Sequence, residues 1–135
     1  MDEAMTRARV EAARVGRLAT ITPEGRPHMV PCCFALVGDA IVSAVDAKPK
    51  STTALRRLDN IRAHPALSLL VDRYDDADWT QLWWVRVDGT ARVVTAGPER
   101  ETALDALAAK YPQYRSLRPP GAVIVIEHLA WHAWP

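Results

Sequence analysis

Residues 17–45 alternate between short strand-like runs and two tight-turn motifs, and this pattern restricts the fold more than any other feature. Alternating apolar residues with many strand formers predict half-buried β-strands. The first turn pairs Pro23, which fixes φ, with Gly25, which accepts a positive φ. The second is the dipeptide Gly38-Asp39. The segment therefore predicts three consecutive antiparallel strands, at residues 17–22, 27–37 and 40–45.

Helical segments precede and interrupt the strands. Residues 2–15 place Met5 and Ala12 on one side of a helix. A second helix is predicted from Thr52 or Thr53 to residue 63, and a third begins at Pro98. Further strands are predicted at 66–71, 79–94 and 121–134. Alternating βαβ units are absent, so the order of elements favours a mainly β (α+β) domain over residues 1–135. Because closure removes exposed strand edges, we expect a closed or nearly closed antiparallel barrel with flanking helices.

The charge balance limits the classes of partner. The 135 residues carry a formal net charge of +1, which is too balanced for a protein whose main partner is nucleic acid or an anionic membrane. No run reaches the roughly 18 apolar residues that a membrane helix needs. The two cysteines, Cys32 and Cys33, are adjacent and point to opposite faces of a strand, so a disulfide framework is not expected. These features predict a cytoplasmic protein.

A cluster of cations and hydroxyls lies between the third strand and the second helix. Its members are Lys48, Lys50, Ser51, Thr52 and Thr53. Fixed donors, point charges and the free N–H groups of a helix start suit a phosphate group. The alternative is a capped surface helix with solvated lysines, and spacing alone leaves both interpretations open.

Two further segments suggest a ligand surface. The second predicted strand contains Pro31, which has no N–H to donate, so this strand either lies at a sheet edge or borders a flat ligand. The polarisable sulfur of Cys33 can contact the ring of such a ligand. Trp79, Trp83 and Trp84 fall on both faces of one predicted strand. One face then meets a partner subunit or a cofactor ring, or else the barrel is simply packed with tryptophan.

No metal site is predicted. His128 and His132 share a face of a strand but lie about 13 Å apart there, too far to bind one metal ion. Glycine-rich nucleotide-binding motifs and a readable Ser-His-Asp signature are also absent.

Three stretches together resemble a known superfamily: RLATITPEGRPHMVPCCFAL, AIVSAVDAKPKSTTALRRLDNIRAHPALSLLVDRYDD and WWVRVDGTARVV. They are similar to the pyridoxamine-phosphate-oxidase-like, FMN-binding split-barrel proteins, and most closely to an actinobacterial branch of probable F420-dependent enzymes. The resemblance implies a split β-barrel of six to seven antiparallel strands. It also implies a homodimer with two cofactor sites at the subunit seam.

The resemblance assigns roles to particular residues. The loop with Lys48, Lys50, Ser51, Thr52 and Thr53 would hold the phosphate of FMN or F420. The segments with Pro31, Cys32 and Cys33, and with Val45 and Asp46, would lie near the ring. A tryptophan of the partner subunit, Trp79 or Trp84, would flank the site.

Three functions are compatible with this reading. The first is an F420-dependent oxidoreductase that transfers a hydride to an unsaturated small molecule, with the cofactor supplying the chemistry. The second is an FMN-dependent oxidase or reductase on the same scaffold. The third is a cofactor-binding or carrier protein without turnover. His28 or a bound water are the candidate proton donors.

Overall fold

A computed structural model describes residues 1–45 and 52–135, with the side chains of residues 52–55 left out. Seven strands and four α-helices follow one another along the described chain, and a 3-10 turn at Trp79–Gln81 precedes the sixth strand. The elements are α1 (Glu3–Ala12), β1 (Gly16–Ile21), β2 (Pro27–Cys32), β3 (Ala35–Val37), β4 (Ala40–Ala44), α2 (Thr52–Ala63), β5 (Ala66–Arg73), β6 (Trp83–Val94), α3 (Pro98–Lys110), α4 (Pro112–Ser116) and β7 (Val123–Trp134).

The seven strands form one antiparallel sheet in the order β2-β1-β5-β6-β7-β4-β3. This is the open sheet of a split barrel, flanked by helices, and the predicted fold class is confirmed. The expectation of closure was wrong, because β2 and β3 stand at opposite ends of the strand order. They follow each other in the chain but do not pair within the described residues.

Two apolar clusters lie on opposite faces of the sheet. The interior cluster gathers Leu18, Phe34 and Leu69 with Leu58 and Ile61 of α2. α2 is fixed there because the Asn60 amide donates to the buried Thr20 hydroxyl at 3.0 Å. The second cluster packs the apolar side of α3 against β3, β4 and the first half of β7. None of the described helices is long and apolar enough to cross a membrane.

A third part of the sheet carries exposed apolar side chains. These residues lie on the outer face of β1, β2 and the second half of β7, where strand alternation turns them away from the interior cluster. Ile21 is 37% exposed, Met29 is 66% exposed and Trp134 is 48% exposed. This outer face is too broad and too apolar to be typical of a surface that meets only water.

A β-bulge interrupts the pairing of β6 with β7. Thr90 is opposite Glu127, but Asp88 is opposite Ala130, so two residues of β7 face Gly89 alone. His128, one of the two, has a φ of 54°. A Cβ on residue 89 would lie 2.8 Å from the Glu127 carbonyl oxygen, so only glycine fits this approach.

Several predicted boundaries needed correction. The single strand at 27–37 is two strands, since pairing to β1 ends at Cys32. Trp79 belongs to the 3-10 turn, because the Asp78 carboxylate caps that turn by accepting from the Thr80 N–H at 3.0 Å. The predicted loop after α3 contains the short helix α4. The bulge also removes the regular alternation on which the predicted spacing of His128 and His132 relied.

Candidate cofactor site

The end of β2 and the first half of α2 meet at the half-buried side chain of Arg57. The Arg57 Nε is buried and has no hydrogen-bond partner among the described residues. It lies near Cys32, where its positive charge acts to lower the pKa of the thiol. Burial outweighs that charge and raises the Cys32 pKa to about 11, so this thiol is neutral at pH 7. The positive charge of Arg57 beside Cys32 therefore has no counter-ion among the described residues.

A second cation lies close to the same cysteines. The Lys110 Nζ is buried, sits 4.0 Å from the centre of the Phe34 ring and has no hydrogen-bond partner among the described residues. Burial, followed by the nearby Arg14 charge, lowers the Lys110 pKa to about 8. The interior on this side is thus electropositive, which favours an anionic ligand.

A short hydrogen bond holds the chain where β2 ends. The Ser43 hydroxyl donates to the Cys33 carbonyl oxygen at 2.7 Å, so the Cys32-Cys33 segment lies against β4. Two residues beyond Ser43, the Val45 N–H donates to the Ala122 carbonyl oxygen at 3.3 Å. The structure therefore holds the Cys32-Cys33 segment beside the end of β4.

The inner face of β2 contains one more polar atom without a hydrogen-bond partner, on His28. The Nδ1 atom of His28 is buried without a partner in the described part of the chain. Its side chain points to the interior, because His28 pairs with the buried Thr20. A ring nitrogen in this state needs a donor or acceptor from outside the described residues.

The whole chain, residues 1–135, matches the family model for pyridoxamine 5'-phosphate oxidase. The chain belongs to this family. A search of curated proteins finds no match.

Solved structures of similar fold come from several bacteria. The chain is similar to a conserved hypothetical protein from Mycobacterium tuberculosis, with 24% identity, a TM-score of 0.78, and coverage of 99% of this chain and 84% of that one. It is similar to HutZ, the heme storage protein from Vibrio cholerae, with 14% identity, a TM-score of 0.73, and coverage of 96% and 92%. It is also similar to an FAD-binding protein from Mesorhizobium loti, with 19% identity, a TM-score of 0.63, and coverage of 100% and 96%. At these identities the likenesses show the fold alone.

In this member of the pyridoxamine 5'-phosphate oxidase family, the residues that were predicted to lie near the cofactor ring do not all face the same side of the sheet. Cys32 is buried on the inner face, Cys33 is half-buried at the junction of β2 and β3, and Pro31 is exposed on the outer face. Val45 is half-buried directly after β4. Cys32 and Val45 pack with the interior cluster, whereas Cys33 packs against the second cluster on the opposite face and Pro31 is turned away from the interior.

The predicted phosphate loop is only partly described. Thr52 and Thr53 are the first two residues of α2, as expected for a helix start. Asp46, Lys48, Lys50 and Ser51 lie outside the described residues.

The two tryptophans that were candidates to flank the site differ in position. Trp79 is 68% exposed in the 3-10 turn. Trp84 is half-buried on the outer face of β6, directly opposite Trp134 of β7. Neither tryptophan lies with Cys32 on the inner face of the same chain, so a second chain would be needed to bring them together.

Sequence reasoning missed the burial of the Arg57 Nε and the position of Lys110. The sequence gives no sign that the Arg57 Nε lies in the interior, nor that the last residue of α3 reaches Phe34. The helical spacing offered one clue, because Leu58 and Ile61 define the inner side of α2 and Arg57 adjoins it.

Proposed function

We propose that this chain is an oxidoreductase that binds a phosphorylated flavin-type cofactor, with F420 as the first choice and FMN as the alternative. The observation that carries the proposal is the buried, unpartnered Nε of Arg57, on the helix that follows the Lys48–Thr53 cluster. A phosphate group would supply the acceptor that Arg57 lacks, and the start of α2 would add free N–H groups. Membership of an oxidase family supports the redox assignment.

The residues fit such a cofactor in two respects. The interior near Cys32 combines the Arg57 and Lys110 cations with a neutral thiol, which suits the wall of an anionic ligand site. The cofactor, when bound, supplies hydride transfer. The chain positions it, excludes water through the apolar interior cluster, and offers the His28 Nδ1 as a proton-handling group.

A carrier protein without turnover is the second candidate. It is favoured by the fold shared with HutZ, whose name describes heme storage. Side-by-side titration of the apo-protein with F420, FMN and heme, followed by absorbance, separates the candidates. We expect F420 or FMN to bind at micromolar concentration, and the reduced cofactor to be oxidised when acceptors are added. Tight heme binding with no flavin or deazaflavin binding would overturn the oxidoreductase.

Loss of the Lys50 charge tests the loop itself. We expect Lys50→Ala to weaken F420 and FMN binding more than about tenfold, or about 1.4 kcal/mol. The physical reason is the loss of a point charge at a phosphate. Fluorescence titration measures the effect, and unchanged titration curves would remove the loop from the site.

The site also requires a second subunit. We propose that the outer face of β1, β2 and the second half of β7 packs against a second copy, with a tryptophan of the partner subunit, Trp79 or Trp84, flanking the cofactor as the resemblance implies. Light scattering at micromolar concentration should give twice the chain mass, and Met29→Glu should shift it toward the monomer, because it places a charge in an apolar interface. A monomeric wild type would count against a shared site.

A further inference from the structure

A cavity of about 440 Å³ opens on the outer face at the ends of β5, β6 and β7. Trp84 and Trp134 are directly opposite each other on neighbouring strands and both line it. Leu70 and Leu82 complete an apolar wall. A volume of this size, bounded by aromatic rings, is typical of a small-molecule site and accommodates a planar bicyclic compound.

Charged groups border the aromatic wall. Two guanidiniums, Arg73 and Arg86, and one carboxylate, Asp72, line the cavity, so its lining carries a net charge of +1 (two positive, one negative). The nearest carboxylate to Arg73 is Asp75 at 3.9 Å, which is beyond hydrogen-bond distance. Its donors are therefore available to a ligand.

The second guanidinium is held in a fixed orientation. Arg86 donates to Asp88 from Nε at 2.9 Å and from Nη2 at 3.2 Å. The Ser68 hydroxyl donates to the same carboxylate at 2.6 Å, and hydrogen bonding lowers the Asp88 pKa. Arg86 Nη1 makes no hydrogen bond to the described residues, which leaves two oriented N–H donors beside the tryptophans.

We propose that this cavity binds planar aromatic carboxylates, with the ring against Trp84 and Trp134 and the carboxylate on Arg73 and Arg86. As the acceptor subsite of the enzyme, this assignment rests on the proposed function. The cavity lies on the face that is proposed to pack against a second copy, so in such a dimer it would lie at the subunit seam, where the resemblance implies the cofactor sites. Hydride transfer requires these two molecules to be adjacent.

The test uses the full chain without cofactor and the probe 2-naphthoate in isothermal titration calorimetry. We expect a Kd below about 1 mM for wild type, and at least about tenfold weaker binding for naphthalene-2-carboxamide, which lacks the charge. Trp84→Ala should weaken 2-naphthoate binding at least about tenfold, and Trp84→Phe, which keeps a ring, by less than about threefold. Arg73→Gln should weaken it about fivefold.

Matched controls lie outside the cavity. Trp79→Ala and Arg62→Gln change the same residue types at exposed positions and should leave the Kd unchanged. Equal effects of Trp79→Ala and Trp84→Ala, or no binding up to about 5 mM, would overturn the proposal.

Repeating the 2-naphthoate titration with the protein saturated in FMN shows whether the cavity is an acceptor subsite or part of the cofactor-binding site. Retained binding supports the acceptor assignment, and competition by FMN overturns it. If neither F420 nor FMN binds while 2-naphthoate does, the proposed function fails and the aromatic-carboxylate site stands.

Discussion

Arg57→Gln is expected to weaken the binding of FMN and F420 by about 30-fold, or about 2 kcal/mol. Glutamine keeps much of the length and the polarity of arginine but removes the positive charge. A hydrogen bond from a charged donor contributes about 1.5–3 kcal/mol, which sets the expected size. The Nε is buried and unpartnered in the described structure, so a bound phosphate would be its counter-ion. Fluorescence titration of the apo-protein with each cofactor measures the change.

Arg62→Gln is the matched control for that variant. Arg62 lies on the same helix, and its exposed guanidinium is 3.9 Å from the Asp59 carboxylate, its one ion pair within the described part of the chain. Exposed pairs of this kind contribute little, so cofactor affinity and stability should both stay near the wild-type values. Equal losses of affinity in the two variants would show that helix charge in general, rather than the buried Arg57 Nε, attracts the cofactor.

Tyr111→Phe is expected to lower the free energy of unfolding by about 2–3 kcal/mol. The Tyr111 hydroxyl accepts from the Phe34 N–H at 3.1 Å. Its proton lies within reach of the carbonyl oxygens of Arg14 at 3.0 Å and Phe34 at 3.1 Å. Removing the hydroxyl leaves the buried Phe34 N–H without its partner at the junction of β2 and β3. Urea denaturation followed by tryptophan fluorescence measures the loss.

Tyr74→Phe provides the comparison for stability. The Tyr74 hydroxyl donates to Asp76 at 2.8 Å, but the side chain is 61% exposed, so water replaces the lost bond. A change below about 0.5 kcal/mol is expected. If Tyr111→Phe were as mild, the contacts at the split between β2 and β3 would contribute less to stability than their burial indicates.

Local chemistry made most of the elements predictable. The turn with Pro23 and Gly25 gave the first hairpin, α2 ends at its predicted residue, and α3 begins at Pro98 as predicted. The order of strands was not predictable from the sequence, because the pairings of β1 with β5 and of β4 with β7 join distant segments. The break at Cys33 was hidden for the same reason, since Ser43 and Tyr111 hold the chain there from elsewhere in the sequence.

The candidate site was predictable only in outline. Strand alternation gave opposite directions for Cys32 and Cys33, but the sequence did not show which one faces the interior. Helical spacing placed Arg57 near the inner side of α2, but it did not show that the Nε atom is buried without a partner among the described residues. Lys110 illustrates the limit, because its burial arises from the contact of α3 with Phe34, 76 positions earlier in the chain.

The extra residue in β7 determines which aromatic rings reach the solvent side. With two residues opposite Gly89, Ala130, His132 and Trp134 share the outer face with Trp84, while Trp131 turns inward. If the same residues paired one-for-one beyond Glu127, without the bulge, Trp131 would be opposite Arg86 on the outer face and Trp134 would be opposite Trp83 on the inner face. The one extra residue at the bulge therefore determines which tryptophan borders the cavity, although the bulge itself does not line the cavity.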